Sequence, residues 1–97
     1  MGRCVLVVGG GGREHALCLA LSESPSIREI HTTPGNAGTE HFGSNHDIPA
    51  SDISGLLELS QRLKVDFVVV GPEAPLCDGL ADRLIDIGIP CFGPQRL

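Results

Sequence analysis

Residues Val5-Leu6-Val7-Val8 run directly into Gly9-Gly10-Gly11-Gly12 and then into Arg13-Glu14-His15-Ala16-Leu17. Four consecutive apolar residues, three of them β-branched, read as a strand buried on both faces. The four glycines let the backbone turn sharply and lie close to another surface. From Glu14 to Leu21 the residues are helix formers in helical rhythm. A strand, a glycine turn and a helix start in that order bring unpaired backbone N–H groups to one point, which favours an anion, most often a phosphate. The structural alternative is that the glycines only permit tight packing of strand on helix.

Two phosphate-binding fingerprints fail here. The dinucleotide pattern requires Gly or Ala at its sixth position, and the turn has Glu14 or His15 there, depending on the glycine from which counting begins. The next strand runs into Thr33-Pro34-Gly35 with no acidic residue at its end to hold a ribose diol. The P-loop pattern fails because no Gly-Lys-Ser or Gly-Lys-Thr occurs. A nicotinamide-dependent oxidoreductase is therefore disfavoured, and the turn suggests phosphate or sugar-phosphate contact in general.

Composition narrows the function classes further. The 97 residues suffice for one small domain with a modest core. Twelve Asp and Glu outweigh seven Lys and Arg, and the three Phe are the only aromatics, so binding nucleic acid by charge or stacking is not expected. Apolar runs are too short to span a bilayer. The first strand starts close to Met1, which leaves no room for a targeting peptide, so a cytoplasmic location is expected. Cys4, Cys18, Cys77 and Cys91 show no C-x-x-C spacing, and His15, His31, His41 and His46 include no helical His-x-x-x-His pair. The cysteines read as small buried apolar residues; neither a disulfide framework nor a metal site is expected.

In chain order the pattern predicts strands at Arg3–Val8, Ile27–Thr32, Phe67–Val70 and Ile89–Gly93, and a short one near His46–Ile48. A helix from Gly12 or Arg13 to Glu23 is expected to pack Ala16, Leu17, Ala20 and Leu21 on the sheet. A second helix, capped by Ser51 or Asp52, runs to Leu63 with Ile53, Leu56, Leu57, Ser60 and Leu63 inward. Gly55 costs it about 1 kcal/mol relative to Ala, which points to close packing or weak constraint. A third helix, Leu76–Ile87, opens after Pro75, buries Leu76, Leu80, Ala81, Leu84 and Ile85, and stops at Gly88. Alternating strands and helices with continuous apolar strands specify an α/β layered domain with a mostly parallel sheet.

In such a sheet the turn at Gly9–Gly12, the loop Thr33–Thr39 and the loop Gly71–Pro75 lie at one edge, where ligands bind. That edge collects Arg13, Glu14, His15, Asn36, Thr39 and Glu73. Arg13 can grip a phosphate with a fork of hydrogen bonds. Asn36 and Thr39 can bond sugar hydroxyls, and Glu73 can accept from a hydroxyl or an amine. Against this stand local roles: Glu14 favouring the helix dipole, Asn36 capping a turn, Glu73 as a solvated carboxylate. His15 has no evident orienting partner, and no catalytic set of residues is assembled by spacing.

Four stretches taken together are specific. They are Val7–Leu17, Pro34-Gly35-Asn36-Ala37-Gly38-Thr39, Val69-Val70-Gly71-Pro72-Glu73-Ala74-Pro75-Leu76 and Cys91-Phe92-Gly93-Pro94. In this order and at these separations they resemble the N-terminal domain of glycinamide ribonucleotide synthetases (phosphoribosylamine–glycine ligases), over nearly the whole chain. The resemblance implies a three-layer, Rossmann-like pre-ATP-grasp domain. It implies an ATP-grasp ligase that joins glycine to 5-phosphoribosylamine in de novo purine synthesis, ATP activating the glycine carboxylate as an acyl phosphate and Mg²⁺ serving the phosphates. It further implies that Gly10, Gly11, Gly12, Arg13 and Glu14, then Pro34, Gly35, Asn36, Gly38 and Thr39, then Gly71, Pro72 and Glu73 face the 5-phosphoribosylamine side of the cleft. No catalytic or metal-binding residue is assigned within the chain.

One departure qualifies the resemblance. After Phe92-Gly93-Pro94 the family continues with a small hydroxyl residue and an Ala-rich helix, whereas this sequence reads Gln95-Arg96-Leu97. The expectation is a single N-terminal domain, residues 1–97, whose ATP and Mg²⁺ sites lie in ATP-grasp domains outside it, partners that a longer form supplies. Two other readings remain: a sugar-phosphate or nucleotide-binding module without catalysis, and a truncated interaction fragment.

Overall fold

The computed structural model describes residues 2–71 and 78–93. Strand β1 (Arg3–Gly9) leads into helix α1 (Gly12–Ser22), then β2 (Ile27–Pro34), a single 3₁₀ turn (Thr39–His41), β3 (Ser44–Asn45), α2 (Ile53–Leu63), β4 (Phe67–Val70), α3 (Asp78–Asp86) and β5 (Cys91–Phe92). The strands form one sheet in the order β3-β2-β1-β4-β5, and every pairing is parallel. The α/β, three-layer, Rossmann-like expectation holds.

Strand β1 is the centre, and each of Cys4–Val8 is at most 1% exposed. Side chains alternate across a strand, so β1 feeds two cores. Cys4, Leu6 and Val8 pack with Leu56 and Leu59 of α2, Val68 of β4 and Leu80 and Leu84 of α3. Val5 and Val7 pack with Ile30 and with Cys18 of α1, flanked by Leu17 and Leu21. Helix α1 therefore covers one face, and α2 with α3 the other.

The inward face of α1 differs from the expected one. Glu14, Leu17, Cys18 and Leu21 turn toward the sheet, while Ala16 and Ala20 are exposed. The helix turns this way because the buried Glu14 carboxylate meets the Gly11 N–H. The third strand pairs Ser44 and Asn45 with His31 and Thr32 and does not extend over His46–Ile48. Two polar residues carry no apolar signal, and only backbone hydrogen bonds define this edge. In α3, Leu80 and Leu84 are buried as expected, but Ile85 is 61% exposed. Leu76, Pro75, Cys77 and the tail Pro94–Leu97 lie outside the described residues.

Local chemistry sets the helix ends. Asp52 caps α2, its Oδ1 accepting from the Gly55 N–H at 3.1 Å, an interaction worth about 1 kcal/mol. Gly55 is closely packed, because a Cβ there would lie 3.1 Å from Ile48 Cγ2. Both α2 and α3 end in the same paired hydrogen bonds. Val65 N–H donates to Ser60 and Lys64 N–H to Gln61; Ile89 N–H donates to Leu84 and Gly88 N–H to Ile85. The residue at the bend is left-handed in both cases, Gly88 with φ 83° and Lys64 with φ 56°. Glycine adopts this conformation without the Cβ penalty that lysine bears. Lys64→Gly should therefore raise stability by about 0.5–1 kcal/mol, seen as a higher urea midpoint with an unchanged slope.

Candidate functional site

The parallel sheet brings the carboxyl ends of β1, β2 and β4 together. Adjacent strands β2 and β4 flank β1, and the chain leaves β1 toward β2 while β4 is reached from the other side. Such a switch point opens a crevice at the carboxyl ends of the strands. Two hydrogen bonds carry the ladder past the strand ends: Gly35 N–H to Gly9 C=O at 3.0 Å and Gly71 N–H to Val8 C=O at 2.9 Å. The three expected loops are therefore neighbours through Gly35 and Gly71; Pro72 and Glu73 lie outside the described residues.

Glu14 fills the space beneath the glycine turn. It is fully buried, and its Oε1 accepts from Gly11 N–H at 3.1 Å. This bond satisfies a donor at the start of α1, where Gly11 has no side chain with which to cap. Glycines flank the carboxylate on both sides. A Cβ on Gly9, whose φ is 141°, would collide with Glu14 Oε1, and one on Gly71 would collide with its Cδ. Glu14 Oε2 has no hydrogen-bond partner among the described residues. A buried oxygen without a partner is costly, so the turn holds an acceptor set against the end of β4.

The second loop is latched to the first by Asn36. Its Nδ2 donates to Gly10 C=O at 2.9 Å and to Gly11 C=O at 3.0 Å, while its Oδ1 accepts from Thr39 N–H at 2.9 Å. Thr39 is fully buried. Its hydroxyl accepts from Asn36 N–H at 2.8 Å and lies 2.8 Å from Asn45 Oδ1. Asn45 Nδ2 returns a bond to Asn36 C=O at 2.8 Å. The side chains of Asn36 and Thr39 are thus engaged inside the protein, where they shape the loop. Gly10 touches the same loop: a Cβ on it would lie 2.9 Å from Gly35 O. His15 is a packing residue, its ring 5.6 Å from that of Phe42 and against Gly38. Arg13 is exposed on the first turn of α1, beside the N–H groups of the helix start.

A second group of polar side chains was not legible in the sequence. Cys4, Glu29 and His31 converge between β1 and β2 at the other end of β1. Glu29 Oε1 lies 3.8 Å from Cys4 Sγ and 3.3 Å from His31 Nε2, and His31 Nδ1 is 3.0 Å from His46 Nε2. The available signal was the two-residue spacing of Glu29 and His31 on one strand, but placing Cys4 beside them required the register of β1 on β2. Hydrogen bonding from His31, helped by Arg28, holds the Glu29 carboxyl below its usual range. Burial draws the His46 pKa down, with the neighbouring His31 adding to the effect. Burial, reinforced by the Glu29 charge, pushes the Cys4 thiol up to about 11. Burial also raises Cys18 and Cys91. Among the described residues Cys4, Cys18 and Cys91 are free thiols, and the two fully buried ones, Cys4 and Cys18, also pack into the apolar clusters on the two faces of the sheet.

An open apolar groove of about 380 Å³, lined by Ile85, Gly88, Ile89, Pro90 and Cys91, lies at the end of α3. It offers no charged or hydrogen-bonding side chain, so the strand-end crevice is the better candidate site.

The sequence from residue 3 to residue 97 matches the family model described as phosphoribosylglycinamide synthetase, N domain. The chain belongs to this family. Among curated proteins, it is 50% identical over 91 residues to the phosphoribosylamine–glycine ligase of Streptomyces coelicolor, covering 94% of this chain and 22% of that protein. It is 48% identical over 92 residues to the trifunctional purine biosynthetic protein adenosine-3 of Bos taurus, covering 93% of this chain and 9% of that one. Among solved structures, a crystal structure of phosphoribosylamine–glycine ligase from Thermotoga maritima is similar with a TM-score of 0.50 and 32% identity, over 69% of this chain and 15% of that one. The synthetase N-domain match includes the glycine turn and both loops. The chain spans about a fifth of the length of its bacterial ligase relatives. No helix among the described residues is long and apolar enough to cross a membrane.

Two outcomes test this geometry. Asn36→Ala leaves the Gly10 carbonyl and Thr39 N–H without their Asn36 partner and takes one of two donors, the other being His15 N–H, from the Gly11 carbonyl. It should cost about 1–3 kcal/mol and speed amide exchange at Gly35 and Thr39 more than in α2. The second concerns pH. The Cys4 value rises from an ordinary 9.0 to about 11 on folding, so its contribution is complete below the first value and is lost as pH climbs toward the second. With a chelator present, the urea midpoint should fall across that interval, and less steeply in Cys4→Ala; a flat midpoint would refute the assignment.

Proposed function

We propose that this chain is the N-terminal, substrate-side domain of a phosphoribosylamine–glycine ligase, which joins glycine to 5-phosphoribosylamine with ATP in purine biosynthesis in the cytoplasm. The observation that carries the reading is the latched pair of loops over the start of α1, in a chain of this family. The phosphate of 5-phosphoribosylamine is placed at Gly10, Gly11 and Gly12, where the helix dipole favours an anion. Arg13 adds a guanidinium that binds phosphate through paired hydrogen bonds. Gly35, Gly38 and Gly71 let Asn45, His15 and Glu14 pack where a side chain would stand, which holds both loops close to the turn. Asn36 and Thr39 set the shape of the second loop, with Pro34 at its entry.

In this reading Glu14 holds the turn in its binding geometry and offers Oε2 to a hydroxyl or amine of the substrate. Pro72 and Glu73 are assigned to the same wall by their sequence match. ATP supplies the activation of the glycine carboxylate. Its site and that of Mg²⁺ are assigned to the ATP-grasp domains that the family resemblance implies; among the described residues of this edge there is one buried carboxylate and no cluster of oxygen ligands for a hard cation. This domain's own work is to bind and orient the amine substrate.

Alone, the 97-residue chain should form no glycinamide ribonucleotide from glycine, 5-phosphoribosylamine and ATP; detectable ATP-dependent product would overturn this division of labour. In a backbone amide NMR titration, glycinamide ribonucleotide should shift Gly9–His15, Pro34–Thr39 and Gly71 saturably, while NAD should not. Saturable NAD shifts at the glycine turn, or ribonucleotide shifts confined to other surfaces, would sink the proposed site.

A further inference from the structure

We propose that Cys4, Glu29 and His31 form a binding site for a borderline-soft divalent metal ion of the Zn²⁺ class, with His46 as the outer partner of the His31 imidazole. The three ligand atoms lie within 4.8 Å of one another. Tetrahedral Zn²⁺ with sulfur at about 2.3 Å and nitrogen and oxygen at about 2.0–2.2 Å places sulfur and oxygen roughly 3.6 Å apart, and nitrogen and oxygen roughly 3.4 Å apart. The observed separations are 3.8 Å for Cys4 Sγ to Glu29 Oε1 and 3.3 Å for His31 Nε2 to Glu29 Oε1. Both separations to Glu29 therefore suit a shared ion to within a few tenths of an ångström, and the thiol and imidazole lie within 4.8 Å of each other, close enough for the same ion to draw them together.

The surroundings hold each ligand in place. Cys4 is clamped through its backbone: its N–H donates to Asp66 Oδ2 at 2.7 Å and its C=O accepts from Asp66 N–H at 2.7 Å. Glu29 stands opposite Cys4 in the β1–β2 register, and its other oxygen pairs with Arg28 at 3.5 Å. His31 Nδ1 meets His46 Nε2 at 3.0 Å. When Nε2 of His31 turns its lone pair to a metal, Nδ1–H donates to His46, the outer hydrogen bond that orients metal-binding histidines. Cys4 and His31 are buried while the Glu29 side chain is 45% exposed, so the ion enters past Glu29 and a water completes the fourth position.

Thiolate, imidazole and carboxylate together select Zn²⁺ or its mimics over Mg²⁺. Gly9 lies five positions beyond Cys4 along β1, about 16 Å of extended chain. The site is therefore distinct from the strand-end crevice, and its fate is independent of the ligase reading. Metal here would join β1, β2 and the segment after β3, and would stabilise the fold by mass action.

Titration of the chelator-treated 97-residue chain with Co²⁺ tests the proposal. One equivalent should produce a thiolate-to-cobalt charge-transfer absorption, Zn²⁺ should displace it and raise the melting temperature, and Mg²⁺ should do neither. The absorption should vanish in Cys4→Ala and survive a Cys77→Ser/Cys91→Ser double variant. His46→Gln should weaken Co²⁺ about 10–100-fold, and the exposed Glu29→Gln, which leaves the core intact, should weaken it as well. Persistence of the absorption in a folded Cys4→Ala protein, or absence of both the absorption and a Zn²⁺-dependent melting shift in the parent chain, overturns the site.

Discussion

The burial of β1 on both faces is the constraint on which the rest depends. Cys4–Val8 present apolar atoms in both directions, and each face must be covered to gain the hydrophobic stabilisation of this run. One helix cannot cover both. Helix α1 takes the Val5 and Val7 face, and α2 with α3 take the face of Cys4, Leu6 and Val8. Parallel pairing on both sides of β1 then follows, since the strand–helix alternation carries each chain segment back to the same end of the sheet.

That arrangement also places the candidate site. Parallel strands deliver their carboxyl ends to one edge, so the glycine turn, the Pro34–Thr39 loop and Gly71 meet without long-range steering. The edge is then refined by polar bonds: Glu14 under the turn, Asn36 across to the Gly10 and Gly11 carbonyls, and Asn45 and Thr39 behind them. Several of the most functional-looking polar residues of the sequence therefore act as scaffold. The surface left for a ligand is largely backbone, with Arg13 beside it.

The same register that builds the sheet creates the Cys4, Glu29 and His31 cluster at the opposite end. The pair serves different chemistry: an anion-favouring edge at the helix start, and a group of sulfur, nitrogen and oxygen ligands about five residues away along β1. Both arise from one strand because its two ends face different neighbours.

By itself, the sequence determined the strand and helix alternation, the parallel α/β class, the glycine turn at the carboxyl end of β1 and the family. These rest on runs of apolar residues and on turn residues close together in the chain, where periodicity reports burial directly. Tertiary structure alone decided which face of α1 points inward. Ala16 and Ala20 look like core residues, yet Glu14 and Cys18 are buried, because the Gly11 N–H satisfies one carboxylate oxygen and the glycines Gly9 and Gly71 make room for the rest. It also decided that β3 is Ser44–Asn45, an edge made by backbone bonds, and that Asn36 and Thr39 latch loops. Finally, it brought Cys4 to Glu29 and His31. In each case the deciding contact joins residues distant in sequence or depends on a hydrogen-bond partner, and no local pattern encodes either.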